Sequence, residues 1–464
     1  MTEKEKVILR GHALCPLDGR YGDVGQVLER FFSESALMKY RVEVECLWLE
    51  HLSGEVLGNY PELFDEKFIE QDFESIREGF NDDDFVRIKQ IESRTNHDVK
   101  AVEYFIGEKL DEMGKGYFKP LVHIGCTSED INSTAYAMML KDAMEYVLIP
   151  KMQELVETLN EWASEYANVP MLAHTHGQPA TPTTLGKEMA VFYNRLSYVV
   201  KDILQGKIRY FAKWSGATGN YSAISVAFPE EEWDREAAEF LENVCGVEIN
   251  PITTQIEDHD WMCELFNAIR MFANILIDID RDFWLYISMN YICQKAVDGE
   301  VGSSTMPHKV NPIQFENSES NCKIGNALLS MLSDKLSVSR LQRDLTDSSS
   351  LRNVGMALGY IYQAILQTIK GMSRSAPNVQ KMSEDLENNW EVLAEPIQTM
   401  LRKYGVPDAY EELKKMTRGK RVTKEALHEF IKTLDMLSEE DKRTLLELTP
   451  ATYTGYAQDL AEGC

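Results

Sequence analysis

MCELFNAIRMFANILIDIDRDFWLYISMNYI, residues 262–292, decides the fold. Apolar side chains occupy nearly every face of a helix drawn through it, and the breaks fall mainly at Asp278, Asp280, Arg281 and Asp282. A helix that is apolar all round belongs in the middle of a bundle. A second run extends from Ala135, with Met138, Met139, Ala143, Met144, Val147, Leu148, Met152, Leu155, Val156, Leu159 and Trp162 at three- and four-residue steps. Pro150 is expected to kink this element without ending it, because the stripe resumes at once. Alternating Val/Ile/Thr runs are few and no βαβ rhythm is present, so the expected fold class is all-α.

Two composition shifts divide the chain. Residues 115–125, KGYFKPLVHIG, combine Gly, Pro and aromatics between helical segments, and RSAPN at 374–378 precedes a charge-rich amphipathic tail. The expectation is three parts: an N-terminal helical domain (1–116), a long central bundle (117–372) and a C-terminal helical domain (373–464). At 464 residues, 44% of them hydrophobic, the chain can bury a large core. A net charge of −27 disfavours nonspecific nucleic-acid binding, so an anionic ligand needs a local basic pocket. The eight cysteines are scattered without a CxxC pair, as expected of reduced thiols in a cytoplasmic protein. Residues 1–16 lack the apolar stretch of a secretory signal, and no uncharged run reaches the roughly 18 residues of a membrane span.

Within this helical background, Gly302-Ser303-Ser304-Thr305-Met306-Pro307-His308-Lys309-Val310-Asn311-Pro312 reads as a loop, since Gly, two serines and two prolines cannot continue a helix. Taken alone it is an ordinary polar connection. Its hydroxyls, ammonium and amide nevertheless suit a carboxylate ligand, with Lys309 as a point charge and Asn311 and backbone N–H groups as donors. His174 and His176 form an H-x-H pair. On a helix they would point to different faces, and no third ligand sits at a familiar spacing, so no metal site is expected. No glycine fingerprint follows a strand, which leaves no basis for a nicotinamide cofactor.

The loop resembles the signature loop of the fumarase/aspartase superfamily, whose members eliminate fumarate from succinyl-type substrates. Two further segments match that superfamily's active-site regions in order and spacing: Gly125-Cys126-Thr127-Ser128-Glu129-Asp130-Ile131-Asn132 and His174-Thr175-His176-Gly177-Gln178-Pro179-Ala180. Asp18-Gly19-Arg20-Tyr21, Thr95-Asn96-His97-Asp98-Val99-Lys100, Arg343-Asp344-Leu345-Thr346-Asp347-Ser348 with Arg352, and Arg418-Gly419-Lys420-Arg421-Val422 narrow the likeness. They resemble the longer bacterial form of the branch that acts on succinylated purine nucleotides. The likeness covers nearly the whole chain.

Cleaving a succinyl C–N bond needs a base at the carbon beside a carboxylate, an acid at the departing nitrogen, and donors aimed at the charge that builds on that carboxylate. On chemistry alone His176 is the natural base, because an imidazole titrates near neutrality. The resemblance implies another arrangement, with Ser303 as base and His176 as acid, oriented by Glu316. A serine is a poor base unless donors stabilise its alkoxide. The likeness further assigns Lys309 and Asn311 to the succinyl carboxylates, helped by Thr175 and Gln255. Ser304, Thr127 and Ser128 join as hydroxyl contacts. By the same likeness Arg20, Tyr21, Arg343, Ser348 and Arg352 would form the phosphate pocket, and His97, between Asn96 and Asp98, would lie close to the reacting end. Alone, each arginine would read as a surface charge and Glu316 as a solvated helix-face carboxylate.

The helical run from about Ile131 to Ala167 would span roughly 50 Å at 1.5 Å per residue. It would separate the Thr127/Ser128 and His176 segments within one chain, and antiparallel packing of copies would reunite them. The superfamily likeness implies the same: a homotetramer with composite sites. Two rival readings stand beside this one, a sister lyase with the same loop and a noncatalytic helical scaffold.

Overall fold

The computed structural model describes residues 3–69, 71–295, 299, 305–306, 308–417 and 422–463. The chain is all-α. Among the described residues the only strands form four two-stranded pairs, each strand two or three residues long. No described helix is long and apolar enough to cross a membrane. None of the seven described cysteines forms a disulfide.

Contacts group the chain into two compact units. The first contains residues 1–151, 200–274 and 320–364; the second contains 152–199, 275–319 and 365–464. In the first, the helices Glu34–His51, Asp82–Thr95 and Asp98–Glu112 pack around Met38, Val42, Ile88, Val102, Phe105 and Phe118. Ser33 starts the first of these helices by accepting a hydrogen bond from Ala36 N at 3.0 Å. In the second unit, Trp390, Ile397, Leu401, Leu427, Ile431 and Leu445 form a separate cluster under the C-terminal helices. Full burial of each such large side chain contributes about 1.5–3 kcal/mol.

The apolar stretch that opens the sequence argument is a helix over Asp260–Ser288, shorter at its end than the pattern predicts. Asn290 adopts φ 61°, Tyr291 N reaches back to Tyr286 O at 2.8 Å, and Asn290 N bonds Ile287 O at 3.0 Å. These two bonds on a left-handed Asn make a helix stop. Ile292–Gln294 then pairs antiparallel with Ser375–Pro377. The second run is helical over Ser128–Ala143 and Ile149–Glu165, joined by a π-turn at Met144–Leu148. Pro150 has no N–H and its ring would crowd the carbonyl four residues back. The wider turn takes up that conflict while the helix continues.

One excursion breaks the helical pattern. Pro170–Met171 pairs with Thr183–Thr184, and His174–Thr175 pairs with Gln178–Pro179, making a β-hairpin on which the H-x-H pair sits. The two histidines therefore lie on a hairpin and not on a helix. Three prolines (170, 179, 182) in thirteen residues deny the segment a helix. The hairpin's base is seated by Leu185 N on Val169 O and Gly186 N on Tyr166 O, both 2.9 Å. A Cβ on Gly186 would collide with the Ala163 carbonyl oxygen, so only glycine permits this approach.

Candidate active site

Several of the candidate residues of the first unit are linked to one another across chain segments. The helix Asp82–Thr95 ends on left-handed Asn96, and His97 caps the next helix, its Nδ1 accepting from Lys100 N at 3.1 Å. Nε2 is thereby left as the protonated ring nitrogen of the neutral imidazole, a donor on an exposed side chain. Asp98 accepts from Arg41 Nη1 at 2.9 Å and Arg352 Nη2 at 3.2 Å. Burial pulls the Asp98 carboxyl up, but Arg41, the Val99 N–H and Arg352 outweigh it and hold the group below its ordinary range. Asp98 thus sits between two cations.

Arg343 pairs through Nη2 with Glu129 Oε1 at 2.7 Å, with the Glu129 side chain 3% exposed. Burial lifts the Glu129 carboxyl, and Arg343 and Asn132 pull it back. Ser348 lies on the short helix Thr346–Leu351, and Arg352 follows directly. Arg20 is exposed and Tyr21 half-buried just before the helix Gly22–Phe32.

Thr127 and Ser128 open the helix Ser128–Ala143. Their turn is held by Asp130, whose Oδ2 accepts from Thr127 N at 2.6 Å. Asp130 Oδ1 accepts from Lys213 Nζ at 2.5 Å, Ser215 N at 2.8 Å and Gly216 N at 3.2 Å. Lys213 and Asp130 are both fully buried. Gln255 Nε2 donates to Ala217 O at 3.1 Å, which ties its own loop to the one that Asp130 holds.

A buried His259 (φ 63°) lies just beyond Gln255. Burial pushes its imidazole down to about 4, and it does the same to His51. Both are neutral in the fold and chargeable once unfolded. Their contribution is intact above the unfolded value of about 6.5 and is lost as pH falls through that value toward 4. The His259 limb of the stability profile, read from urea unfolding, should therefore fall by about 2–3 kcal/mol from pH 7.5 to 4.5, opposed by Glu257, whose carboxyl burial pushes up to about 8. His259→Asn, which tolerates the left-handed backbone, should flatten that limb; an unchanged slope would clear His259 of the effect.

In the second unit the hairpin tip is a two-residue turn, His176–Gly177, with φ 54° and 71°. Positive φ at both positions identifies the tight turn that matches hairpin twist. Thr175 and His176 are exposed on this tip. Lys309 is exposed and Asn311 half-buried, and their segment is tied by Gln294 Nε2 to Val310 O at 3.0 Å. Glu316, in the first turn of the helix Ile313–Leu336, accepts from Trp284 Nε1 at 3.1 Å. Ser303 and Ser304 lie outside the described residues. Among the described residues, no group of three or more His, Cys, Asp or Glu could hold a metal ion.

Sequence reasoning missed the residues that brace the candidate ligand groups: Arg41, Glu129, Asp130, Asn132 and Lys213. Glu129, Asp130 and Asn132 stand inside a quoted motif. The signal for Arg41 is a charge set among Met38, Val42 and Val44, all completely buried.

A helical fold carrying this set of motifs matches the Lyase family model over residues 19–324, and an Adenylosuccinate lyase C-terminal model over 339–454. Fold and motifs together define an enzyme of the lyase class, in the fumarase/aspartase superfamily. Adenylosuccinate lyases from Vibrio cholerae, Haemophilus influenzae and Escherichia coli K12 are 47, 48 and 47% identical to it. They cover 97, 97 and 96% of this chain and 98, 98 and 97% of their own. The chain belongs to the adenylosuccinate lyase family. A fumarate lyase from Mesorhizobium sp. BNC1 superposes with a TM-score of 0.75 at 16% identity, covering 94% of this chain and 97% of that one. The 3-carboxy-cis,cis-muconate lactonizing enzyme from Pseudomonas putida gives 0.74 at 20%, covering 94 and 95%. At those identities the likeness speaks for the fold alone.

Proposed function

We propose that this enzyme cleaves the C–N bond of adenylosuccinate, releasing fumarate and AMP. It does the same to succinylaminoimidazole-carboxamide ribotide, leaving the aminoimidazole-carboxamide ribotide. The carrying observation is the pair Arg343 and Arg352, the first braced by Glu129 next to the Thr127–Ser128 turn and the second by Asp98, in a chain of net charge −27. Sister substrates such as argininosuccinate, aspartate and malate bear no phosphate, so a pair of arginines set aside from the succinyl carboxylates has no dianion to hold.

In the proposed mechanism Ser303, as alkoxide, removes the proton from the carbon beside a succinyl carboxylate. Lys309 and Asn311, with Thr175, Gln255 and Ser304, hold the carboxylates and stabilise the extra charge. The electron pair then expels the nitrogen, which His176, oriented by Glu316, protonates. Arg20, Tyr21, Arg343, Ser348 and Arg352 hold the phosphate, with Thr127, Ser128, Asn96 and His97 along the nucleotide. Asp98 works behind them by bracing Arg352. This scheme uses no cofactor and no metal.

The same reading makes the enzyme a cytoplasmic homotetramer with sites shared between subunits. Apolar side chains left exposed on the long helices Asp260–Ser288 and Ile313–Leu336 support it: Met271, Trp284, Leu285, Ile324 and Met331. The division at 1–116, 117–372 and 373–464 belongs to this reading too, supported by the separate clusters near either end.

Fumarate release from five substrates tests the function. The two succinylated nucleotides should turn over, with argininosuccinate, aspartate and malate below about 1% of their kcat/KM, as expected when a site's buried polar groups lose their partner. Preferential turnover of one of the latter would replace the reading with that sister activity. No fumarate from any would leave a scaffold.

A further inference from the structure

Arg343 and Arg352 are joined through the interior. Arg41, 2% exposed, comes from the helix Glu34–His51 and donates from Nη1 to Asp98 Oδ2 at 2.9 Å. The same Asp98 oxygen accepts from Arg352 at 3.2 Å. From Nε, Arg41 donates to Asn132 Oδ1 at 2.9 Å, and Asn132 Nδ2 donates to Glu129 Oε1 at 2.7 Å. That oxygen also takes the Arg343 guanidinium at 2.7 Å. The order is Arg352, Asp98, Arg41, Asn132, Glu129, Arg343, the first four links hydrogen bonds and the last an ion pair. Glu34 and Asp347 stand at 3.9 and 4.0 Å from the two outer guanidiniums, beyond hydrogen-bond length.

We propose that Arg41 and Asn132 are positioning residues that set the spacing of Arg343 and Arg352 for the nucleotide phosphate. The inference rests on the reading of those two arginines as phosphate ligands. A buried guanidinium is costly unless its donors are met, and Arg41 meets them with the two groups that lead to the outer arginines. Each carboxylate oxygen is shared between one outer arginine and one strut residue. Without the strut, Asp98 Oδ2 and Glu129 Oε1 would each be left to a single outer arginine and draw it away from the ligand. Lysine cannot replace Arg41, because one ammonium lacks the fork that reaches Asp98 and Asn132 together.

The test compares ligands that differ only by phosphate. Competitive inhibition by AMP and by adenosine is measured with wild type, Arg41→Lys, Asn132→Leu, Arg343→Ala and Arg352→Ala, alongside KM, kcat and Tm. Arg41→Lys and Asn132→Leu should each weaken AMP at least 10-fold, leave adenosine within 2-fold and keep kcat within 3-fold. A merely structural role would weaken both ligands together or lower kcat. AMP affinity unchanged in both strut variants, while Arg343→Ala and Arg352→Ala lose it, overturns the strut alone. AMP affinity unchanged in the two outer-arginine variants removes the phosphate reading beneath it. Asn132→Ser, which leaves every ion pair in place, carries the same comparison if the other strut variants do not fold.

Discussion

Ser303→Ala and His176→Asn proteins are each expected to retain less than about one-thousandth of the wild-type kcat, and an equal mixture of the two, dissociated and reassembled, about a quarter of it. The size of each loss follows from removing a proton-transfer group at a step where such groups contribute 10²–10⁴-fold. The quarter follows from shared sites: if serine and histidine come from different subunits, one site in four draws both from intact parents. In a site built within one chain, every site would carry one lesion and mixing would restore nothing. Asparagine is the suitable replacement for His176, because the residue has φ 54° and asparagine tolerates that backbone. Fumarate release before and after mixing decides both points. Ser303→Ala with more than a few per cent of kcat would remove that residue from the role of base.

Asp130→Asn is expected to cost about 3–5 kcal/mol of unfolding free energy, because it leaves the Lys213 ammonium buried without its counter-charge. Asp130 takes bonds from Thr127 N, Lys213 Nζ, Ser215 N and Gly216 N, so its loss should also loosen the loop carrying Gln255 and raise KM for succinylated nucleotides. Lys213→Met combined with Asp130→Asn should recover most of the stability, since no buried charge remains. It should not recover KM, because a neutral amide in place of the carboxylate holds the turns less firmly. Urea unfolding at pH 7 measures the first effect and initial rates the second. A loss under about 1 kcal/mol in the single variant would mean that something other than charge holds these turns together.

The helical architecture was legible because apolar periodicity survives without tertiary information, as in residues 262–288. The end of that helix was not. Asn290 reads as one more polar residue in the pattern, yet its left-handed backbone closes the last turn and sends Ile292 into a strand. The hairpin at 170–184 escaped because strands of two residues are too short for alternation to register. Ligand groups stood out by family likeness, since motif residues recur in a recognisable order. Their supports carry no such mark. Arg41 meets Asp98 57 positions away and Asn132 91 away, pairings that only the folded chain reveals. Lys213 and Asp130, 83 apart, are the same case.

The His176–Gly177 turn restricts what selection can do at its first position. Most side chains there would set Cβ against a backbone carbonyl, at roughly 1–2 kcal/mol, before any chemistry is judged. Histidine, asparagine, aspartate and glycine are the residues that enter this conformation most readily, and of these only histidine donates and accepts protons near neutrality. On the proposed role of His176, geometry narrows the choice to these few residues and reactivity selects imidazole among them, so a descendant without that role would still keep a small polar residue or glycine at the bend.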